Sequence, residues 1–276
     1  MNAILAIAQT EVRIGIRNRW VMLSSLILLV FALLLVLLGS APAGATKADS
    51  LSVVVASLST LSVYLVPLIA LLLSFDAIAG EIDRGTLQLT FASPVSRGQV
   101  LLGKFLGHVC VLGIAVLSGY GIAGAVAFAT GQNTGVAGLG DLARLIATSI
   151  ALGATFVTIG YVASASVRQT GTAAALAVAI WLFAVVLYDL ALLGGLLASS
   201  DGLFAKTLFP YLLVANPADA FRVFNMAGID MAETATGLAA NGSVMPFSPQ
   251  LAIISPFIWM ALGLVASTVI LRRIQP

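Results

Sequence analysis

The chain has 276 residues, of which 60% are hydrophobic and 9% charged, with a formal net charge of +2 and a mean hydropathy of +1.10. Soluble domains carry about 25% charged residues, so this composition excludes a domain whose whole surface faces water. A membrane β-barrel is excluded too, because its strands alternate apolar and polar residues, whereas these apolar runs are continuous and about twenty residues long. We therefore predict an all-α membrane protein.

The N-terminal unit, residues 1–19, is predicted to contain an amphipathic helix on the cytoplasmic membrane surface. It carries Arg13, Arg17 and Arg19 among apolar residues, and an apolar run over 20–38 follows. Basic residues, an apolar run and the later Ala-Pro-Ala sequence imitate a signal peptide. The run is nevertheless longer than the about 7–15 residues of a signal sequence. We therefore predict an uncleaved first transmembrane helix.

Five more transmembrane helices are predicted from the remaining apolar runs, at 53–75, 100–129, 142–165, 172–197 and 251–271. Pro67 predicts a kink in the second helix. The predicted units after the N-terminal helix are helices 1 and 2 (20–75), a cytoplasmic loop (76–99), helices 3 to 5 (100–198), a periplasmic segment with a short amphipathic helix (199–249), and helix 6 with its tail (250–276).

The orientation is predicted from the basic residues. Nine of the thirteen lie in the N-terminal segment, the segment 76–104, the loop 166–171 and the C-terminus. Because basic residues concentrate on the cytoplasmic side of membrane proteins, both termini are predicted to be cytoplasmic. The protein would then be a multi-pass protein of a bacterial inner membrane, with the lipid bilayer around it and no nucleic-acid partner.

The loop 76–99 is unusual for a connection between membrane helices, because it combines charged residues with the signals of a short capped helix. Pro94 ends its first part, and Ser96 with Gln99 has the spacing of a capping box that starts the third transmembrane helix. Its apolar residues, among them Ile82 and Leu87, are expected to need a partner groove. The alternative is a helix lying on lipid headgroups, which an anionic leaflet would disfavour because the segment is acidic.

The strings Glu81-Ile82-Asp83-Arg84-Gly85-Thr86-Leu87, Ala92-Ser93-Pro94-Val95-Ser96-Arg97 and Gly103-Lys104 resemble the ABC-2 family of permeases. The resemblance implies a six-helix, type V exporter-like fold whose N-terminal amphipathic helix is the elbow helix. It also implies that the short helix in the loop is a coupling helix, which docks on a cytoplasmic ABC ATPase. The coupling residues it implies are Glu81, Ile82, Asp83, Arg84, Gly85, Thr86, Leu87, Pro94, Ser96 and Arg97.

Within that family, the chain is similar over its whole length, including residues 216–222, to the permeases that serve maturation of nitrous oxide reductase. This similarity implies a homodimer that works with a NosF-like ATPase and a periplasmic NosD-like protein. The implied function is assembly of the copper–sulfur centre of that reductase during denitrification, by moving a sulfur species or by signalling for one.

The sequence contains no Gly-x-x-x-x-Gly-Lys-[Ser/Thr] motif. We therefore predict a non-catalytic subunit without a cofactor of its own, whose ATP and Mg²⁺ are bound by a partner chain. With one histidine, His108, and one cysteine, Cys110, no conventional copper or zinc ligand set is expected. His108 is predicted to be packed or hydrogen-bonded, and Cys110 to be a buried thiol. Three methionines of the outer segment are alternative Cu(I) contacts or apolar filler: Met226, Met231 and Met245.

Asp189 is the one acidic residue predicted well inside a transmembrane helix. One interpretation is that it forms part of a substrate path or of a hydrogen bond between helices that moves during the cycle. The other is that its side chain reaches the membrane interface or a neighbouring helix. In the outer segment, Asn216 and Pro217 predict a strong helix start. That helix, with Asp219, Phe221 and Arg222, could act as a gate, dock a partner, or pack passively on the transmembrane ends.

Three functional hypotheses remain open from the sequence. The first is an ABC permease that exports a sulfur species, or another small molecule or lipid. The second is a mechanical transmitter that reshapes a periplasmic partner while nothing crosses the membrane. The third is a secondary transporter or channel without an ATPase, which would be expected to show charged relays or broken helices near the midplane.

Overall fold

The computed structural model describes residues 3–38, 50–87, 95–130, 136–198, 202–227 and 246–273, and all regular structure within these ranges is helical. The helices are α1 (Ala3–Arg17), α2 (Arg19–Leu38), α3 (Ser50–Ser74), α4 (Ala79–Asp83), α5 (Arg97–Ala129), α6 (Val136–Ala165), α7 (Thr170–Ala198), α8 (Phe209–Ala215), α9 (Pro217–Ala227) and α10 (Pro249–Arg273). Six of the described helices are long and apolar enough to cross a membrane, namely α2, α3, α5, α6, α7 and α10.

The spanning helices alternate in direction, so the described bundle has two ends. The N-terminal end carries α1, α4, the start of α5 and the turn between α6 and α7. The opposite end carries the end of α5 and the start of α6. α3, α5 and α6 form the buried centre of the bundle, whereas α2, α7 and α10 are mostly exposed at its edge.

Close helix contacts hold the centre together. α6 packs against α3 on one side and α10 on another. At Gly160 of α6, a Cβ atom would lie 1.9 Å from the Ser74 hydroxyl oxygen, so only glycine allows α3 and α6 to approach this closely. Buried hydroxyls add specific links: Ser62 of α3 lies 2.6 Å from the Tyr120 hydroxyl of α5 and 3.3 Å from the Ser149 hydroxyl of α6.

Two local predictions are confirmed, and one further local contact is present. The Ser96 side chain accepts from the amide of Gln99, and the Gln99 side chain accepts from the amide of Ser96, which completes the capping box. Asn216 accepts from the amide of Ala218 and so caps α9. The Asp141 and Arg144 side chains, three residues apart on α6, form an ion pair of 3.1 Å.

The prediction of a buried Cys110 is wrong, because its side chain is exposed. Leu102, Leu106 and Ile114 are also exposed, and their fourfold spacing places all four residues on one face of α5. In a membrane this face meets lipid, where an apolar thiol is as stable as in a protein core. An apolar run does not tell which of its faces points inward.

The largest difference from the sequence interpretation concerns α9, which the amphipathic pattern placed on the outer face of the bundle. In the structure, α9 packs among α3, α6 and α10, and Asn216 donates to the carbonyl of Ala184 at 2.6 Å. Ala184 lies fourteen residues before Ala198, where α7 ends, which corresponds to about 21 Å along the helix axis. The pair α8–α9 is therefore a re-entrant element that turns back inside the bundle.

A break in the regular geometry of α7 accompanies this element. Residues Leu182–Leu187 form a π-helical stretch between two α-helical parts, and such stretches are frequent at functional sites. The Ala184 carbonyl that accepts from Asn216 belongs to this stretch. Tyr188, directly after it, donates from its hydroxyl to the carbonyl of Leu212 in α8 at 2.7 Å. The irregular part of α7 thus faces the re-entrant helices.

Candidate coupling site

The short helix α4 begins where α3 leaves the bundle. Its first amide groups have no partner within the helix, and the hydroxyl of Ser164 on α6 accepts from the amides of Ile78 and Ala79 at 3.0 and 2.9 Å. Gly85 ends the element with φ +68°, a conformation that other residues rarely adopt. α4 is therefore fixed to α6 at its start and has a defined end.

Lys104 of α5 is the centre of a buried ion-pair network. Its Nζ atom lies 2.5 Å from Glu11 of α1 and 2.7 Å from Glu81 of α4, and the residue is only 6% exposed. A buried lysine is costly unless carboxylates surround it, and here two of them do. One ammonium group thus joins the N-terminal helix, the short helix α4 and a spanning helix.

His108, one helical turn further along α5, extends this network. Its Nε2 atom lies 3.4 Å from the second carboxylate oxygen of Glu11, and its Nδ1 atom lies 2.7 Å from the Tyr161 hydroxyl of α6. Burial alone would raise the pKa of Glu11, but the hydrogen bond from His108 and the charge of Lys104 outweigh it and lower the pKa to about 2. Glu11 is therefore ionised at neutral pH, and its pairing with Lys104 persists. As predicted, His108 is hydrogen-bonded.

Two further contacts join the helices at this end. Asp83 of α4 accepts from the amide and the hydroxyl of Thr170 at 3.3 and 2.9 Å, and so holds the beginning of α7. Arg97 at the start of α5 donates to the carbonyls of Leu271 and Arg272 at the end of α10, at 2.7 and 2.9 Å. Through Glu81, Ser164 and Asp83, α4 is linked directly to α5, α6 and α7, and through Lys104 it is linked to α1.

The coupling residues implied by the resemblance do not all lie on one surface. Glu81 points inward to Lys104, with 17% of its side chain exposed. Leu87 is buried at 5% exposure and Ile82 packs against the core, so these apolar residues pack on the bundle rather than needing a partner groove. The exposed members are Asp83, Arg84, Gly85, Thr86 and Ser96; Arg97 is half-buried and Pro94 lies outside the described residues.

The elbow residues Arg13, Arg17 and Arg19 are exposed, while the opposite face of α1 packs closely on α5. Glu11 and Tyr161 were not predicted as site residues, and Lys104 was noted only as part of the family resemblance. One signal was present, because Glu11 is the only acidic residue before Asp49 and Lys104 lies inside an apolar run. Each of these charges needs a partner in a membrane protein.

A second polar cluster lies between α7 and the re-entrant helix α9. Arg222 donates to Asp189 at 3.1 Å and lies 3.5 Å from Asp219. The side chains of Arg222 and Asp219 are 8% and 1% exposed, and Asn216, Pro217 and Phe221 are buried as well. Because these side chains face into the bundle, they cannot dock an outside partner unless α9 moves. Their role in a gate stays a prediction.

The methionines remain untested as copper contacts. Met226 is half-buried near the end of α9, and Met231 and Met245 lie outside the described residues. Among the residues that the structure describes, no group of three or more His, Cys, Asp or Glu side chains could hold a metal ion.

The contact between α1 and α5 supplies a first test. At Gly107, a Cβ atom would lie 2.5 Å from the Cβ of Glu11 and 2.9 Å from the carbonyl oxygen of Ala8. Gly107→Ala is therefore expected to push α1 away from α5 and to lower the free energy of unfolding by about 1–3 kcal/mol. Thermal unfolding and proteolysis of α1 in the purified protein measure this effect.

Gly121→Ala on the same helix is the matched control, since its added methyl group meets no described atom within 4 Å. Equal behaviour of the two variants would show that α1 does not pack as the structure has it.

Comparison with known proteins now defines the class of the molecule. Residues 5–273 match the family described as "ABC-2 family transporter protein", and the chain belongs to this family. It is therefore an integral inner-membrane permease subunit of an ABC transporter, which implies an ATPase partner. The interpretation as a transporter without an ATPase is thus not supported.

The more particular similarity is to proteins named "Probable ABC transporter permease protein NosY". The chain is 38% identical to that of Stutzerimonas stutzeri over 276 residues, covering 99% of both chains. It is 39% identical to that of Pseudomonas aeruginosa over 265 residues, covering 96% of this chain and 94% of the relative. The resemblance seen in the sequence is confirmed at this level.

Proposed function

We propose that this chain is the permease of a system that assembles the copper–sulfur centre of nitrous oxide reductase. The observation that carries the proposal is the similarity to two NosY permeases along nearly the entire chain. In this proposal the permease is a homodimer with a NosF-like ATPase on the cytoplasmic side and a NosD-like protein in the periplasm. Both termini are cytoplasmic, in agreement with the distribution of basic residues.

The contacts at the N-terminal end support a mechanism. The ATPase binds the exposed surface at the end of α4 and directly after it, formed by Asp83, Arg84 and Thr86. When ATP binding draws two ATPase subunits together, α4 moves with them. Because Lys104 and Ser164 tie α4 to α5 and α6, these helices tilt as rigid rods. The opposite end then changes shape, which either exports a sulfur species or reshapes the periplasmic partner.

Complementation tests the function itself. In a denitrifying strain without its own permease gene, this chain is expected to restore a nitrous oxide reductase that contains the copper–sulfur centre, as measured by copper content and visible spectrum. Proteoliposomes with the whole complex, ATP and a candidate sulfur compound distinguish flux from a shape change of the partner without flux. A reductase that stays without its centre, although the permease is expressed and assembled, would refute the proposal.

The docking surface is tested by charge reversal at Arg84, which is exposed beside α4. Arg84→Glu is expected to weaken ATPase association about tenfold, or by about 1.4 kcal/mol. The substitution replaces a positive charge that complements the partner surface with a negative charge that the same surface repels. Co-purification at graded salt measures it. The control is Arg168→Glu, also exposed at this end but in the turn before α7. Full retention of the ATPase by Arg84→Glu would exclude this docking surface.

A further inference from the structure

The carboxyl group of Asp219 is an anomaly in the re-entrant helix. It is 1% exposed, and neither of its oxygens receives a hydrogen bond from any described residue. The Nη1 atom of Arg222 lies 3.5 Å away, while the Nη2 atom donates instead to Asp189 at 3.1 Å. A carboxylate that is buried without hydrogen-bond donors is strongly destabilised, so Asp219 is unstable here as a bare anion.

The charges of the cluster do not balance when all groups are ionised. Asp189 and Asp219 contribute two negative charges and Arg222 contributes one positive charge, which leaves one uncompensated negative charge in a buried place. A proton removes this charge and needs no further ligand. A metal ion would need additional oxygen or nitrogen ligands, and the described residues hold no group of three acidic, His or Cys side chains that could bind one.

No helix packed against α9 supplies the missing positive charge in its described part. α3 contains no acidic or basic residue, α8 contributes only Tyr211 as a titratable group, and the basic residues of α10 lie at its far end. On α6, Arg144 pairs with Asp141 at 3.1 Å and donates to the carbonyl of Asn225 on α9 at 3.4 Å, so its charge is already matched by Asp141. On α7, Tyr188 stands beside Asp189 and is uncharged at neutral pH.

We propose that Asp189 and Asp219 form a binding site for one proton between α7 and the re-entrant helix α9. The proton resides on Asp219, whose O–H group donates to the carboxylate of Asp189. That carboxylate also accepts from Arg222, so the three side chains form one hydrogen-bonded unit. Burial, and after it the neighbouring charge of Asp189, raise the pKa of Asp219, in agreement with this assignment.

Loss of the proton has a mechanical consequence. Two adjacent carboxylates repel each other, and Arg222 can neutralise only one of them. Separation of α9 from α7 relieves the repulsion and hydrates Asp219. The proton therefore holds the re-entrant helix against α7, and its release opens that contact. The proton site does not depend on which molecule the permease transports or which partner it acts on. Either the proton site or the proposed function can therefore be disproved while the other stands.

Infrared difference spectroscopy of the permease, purified with its ATPase in lipid, tests the site directly. Wild type is expected to show the C=O stretching band of a protonated carboxyl at pH 6, which shifts in D₂O and disappears at alkaline pH. Asp219→Asn is expected to lose the band. Asp189→Asn is expected to lose it at neutral pH as well, because Arg222 then pairs with an ionised Asp219.

Asp141→Asn is the matched control, since it removes an acid at the same end whose partner is Arg144, and it should keep the band. Labelling wild type with [4-¹³C]aspartate assigns the band without any substitution, in case a variant does not fold. An absent band in wild type at pH 6, a band that the label does not shift, or a band that Asp219→Asn retains would each overturn the proposal.

Hydrogen exchange of the α9 amides measures the linked opening. Over the pH range in which the closed state holds the proton and the open state does not, protection of α9 in wild type should fall as the pH rises, by up to about tenfold for each pH unit after correction for intrinsic exchange. Asp219→Asn should keep constant protection over this range. A wild-type protection that does not change with pH would contradict the gate.

Discussion

Replacing Lys104 with methionine is expected to separate ATP hydrolysis from movement of the spanning helices. The substitution leaves the carboxylates of Glu11 and Glu81 buried without their shared cation. Breaking a buried ion pair by removing one partner costs about 3–5 kcal/mol. The ammonium link between α4 and α5 would then be lost, while α1 would still pack on α5 at Gly107. Movement of α4 with the ATPase would therefore no longer be passed to α5 through Lys104. We expect maturation of the reductase in cells to fall more than tenfold.

A triple variant distinguishes loss of coupling from loss of folding. Glu11→Gln and Glu81→Gln added to Lys104→Met remove the uncompensated charges, so the thermal unfolding midpoint should recover. Coupling should not recover, because no ammonium group joins the three helices. ATPase activity, unfolding and reductase maturation are measured on each variant.

Arg168→Met controls for the loss of a basic side chain at the same end, because Arg168 is exposed, and it should be indistinguishable from wild type. Normal maturation by the Lys104→Met variant would show that the network does not transmit movement.

The sequence was sufficient for features that depend on neighbouring residues. The capping box at Ser96 and the cap at Asn216 each join residues that lie at most three positions apart along the chain. The spanning helices were also predictable, because the bilayer requires long apolar runs with internal hydrogen bonds. Such signals are complete within one segment of the chain.

The central contacts of both polar clusters could not be derived in this way. Lys104 and Glu11 are 93 positions apart, and Arg222 and Asp189 are 33 apart, so their pairing depends on how whole helices pack. The amphipathic pattern of α9 was recognised, but its polar face was assigned to water. In the structure, Asn225 on that face accepts a hydrogen bond from Thr148, and Arg222 on the same face donates to Asp189. Periodicity identifies a polar face without identifying what covers it.

Arg222→Met is expected to release the re-entrant helix, the second large effect. Without the guanidinium, Asp189 has no cation and Asp219 lies beside it, nearly fully buried. Loss of one partner from a buried ionic group costs about 3–5 kcal/mol, so folded yield and the unfolding midpoint should both fall. The matched control is Arg144→Met, whose pair with Asp141 is more exposed, at 29% and 19%, and whose other contact is a 3.4 Å hydrogen bond to the carbonyl of Asn225. Partly exposed pairs contribute about 0–1 kcal/mol, so this variant should lose much less stability than Arg222→Met.

The double variant Asp189→Asn with Arg222→Met tests the charge balance that underlies this expectation. It leaves one acid, Asp219, which can stay protonated and neutral, so the cluster carries no net charge. Its unfolding midpoint should therefore lie above that of Arg222→Met alone, although the double variant also lacks the charge of Asp189. If the second substitution lowered stability further, the cluster would depend on hydrogen bonds to Asp189 rather than on compensation of charge.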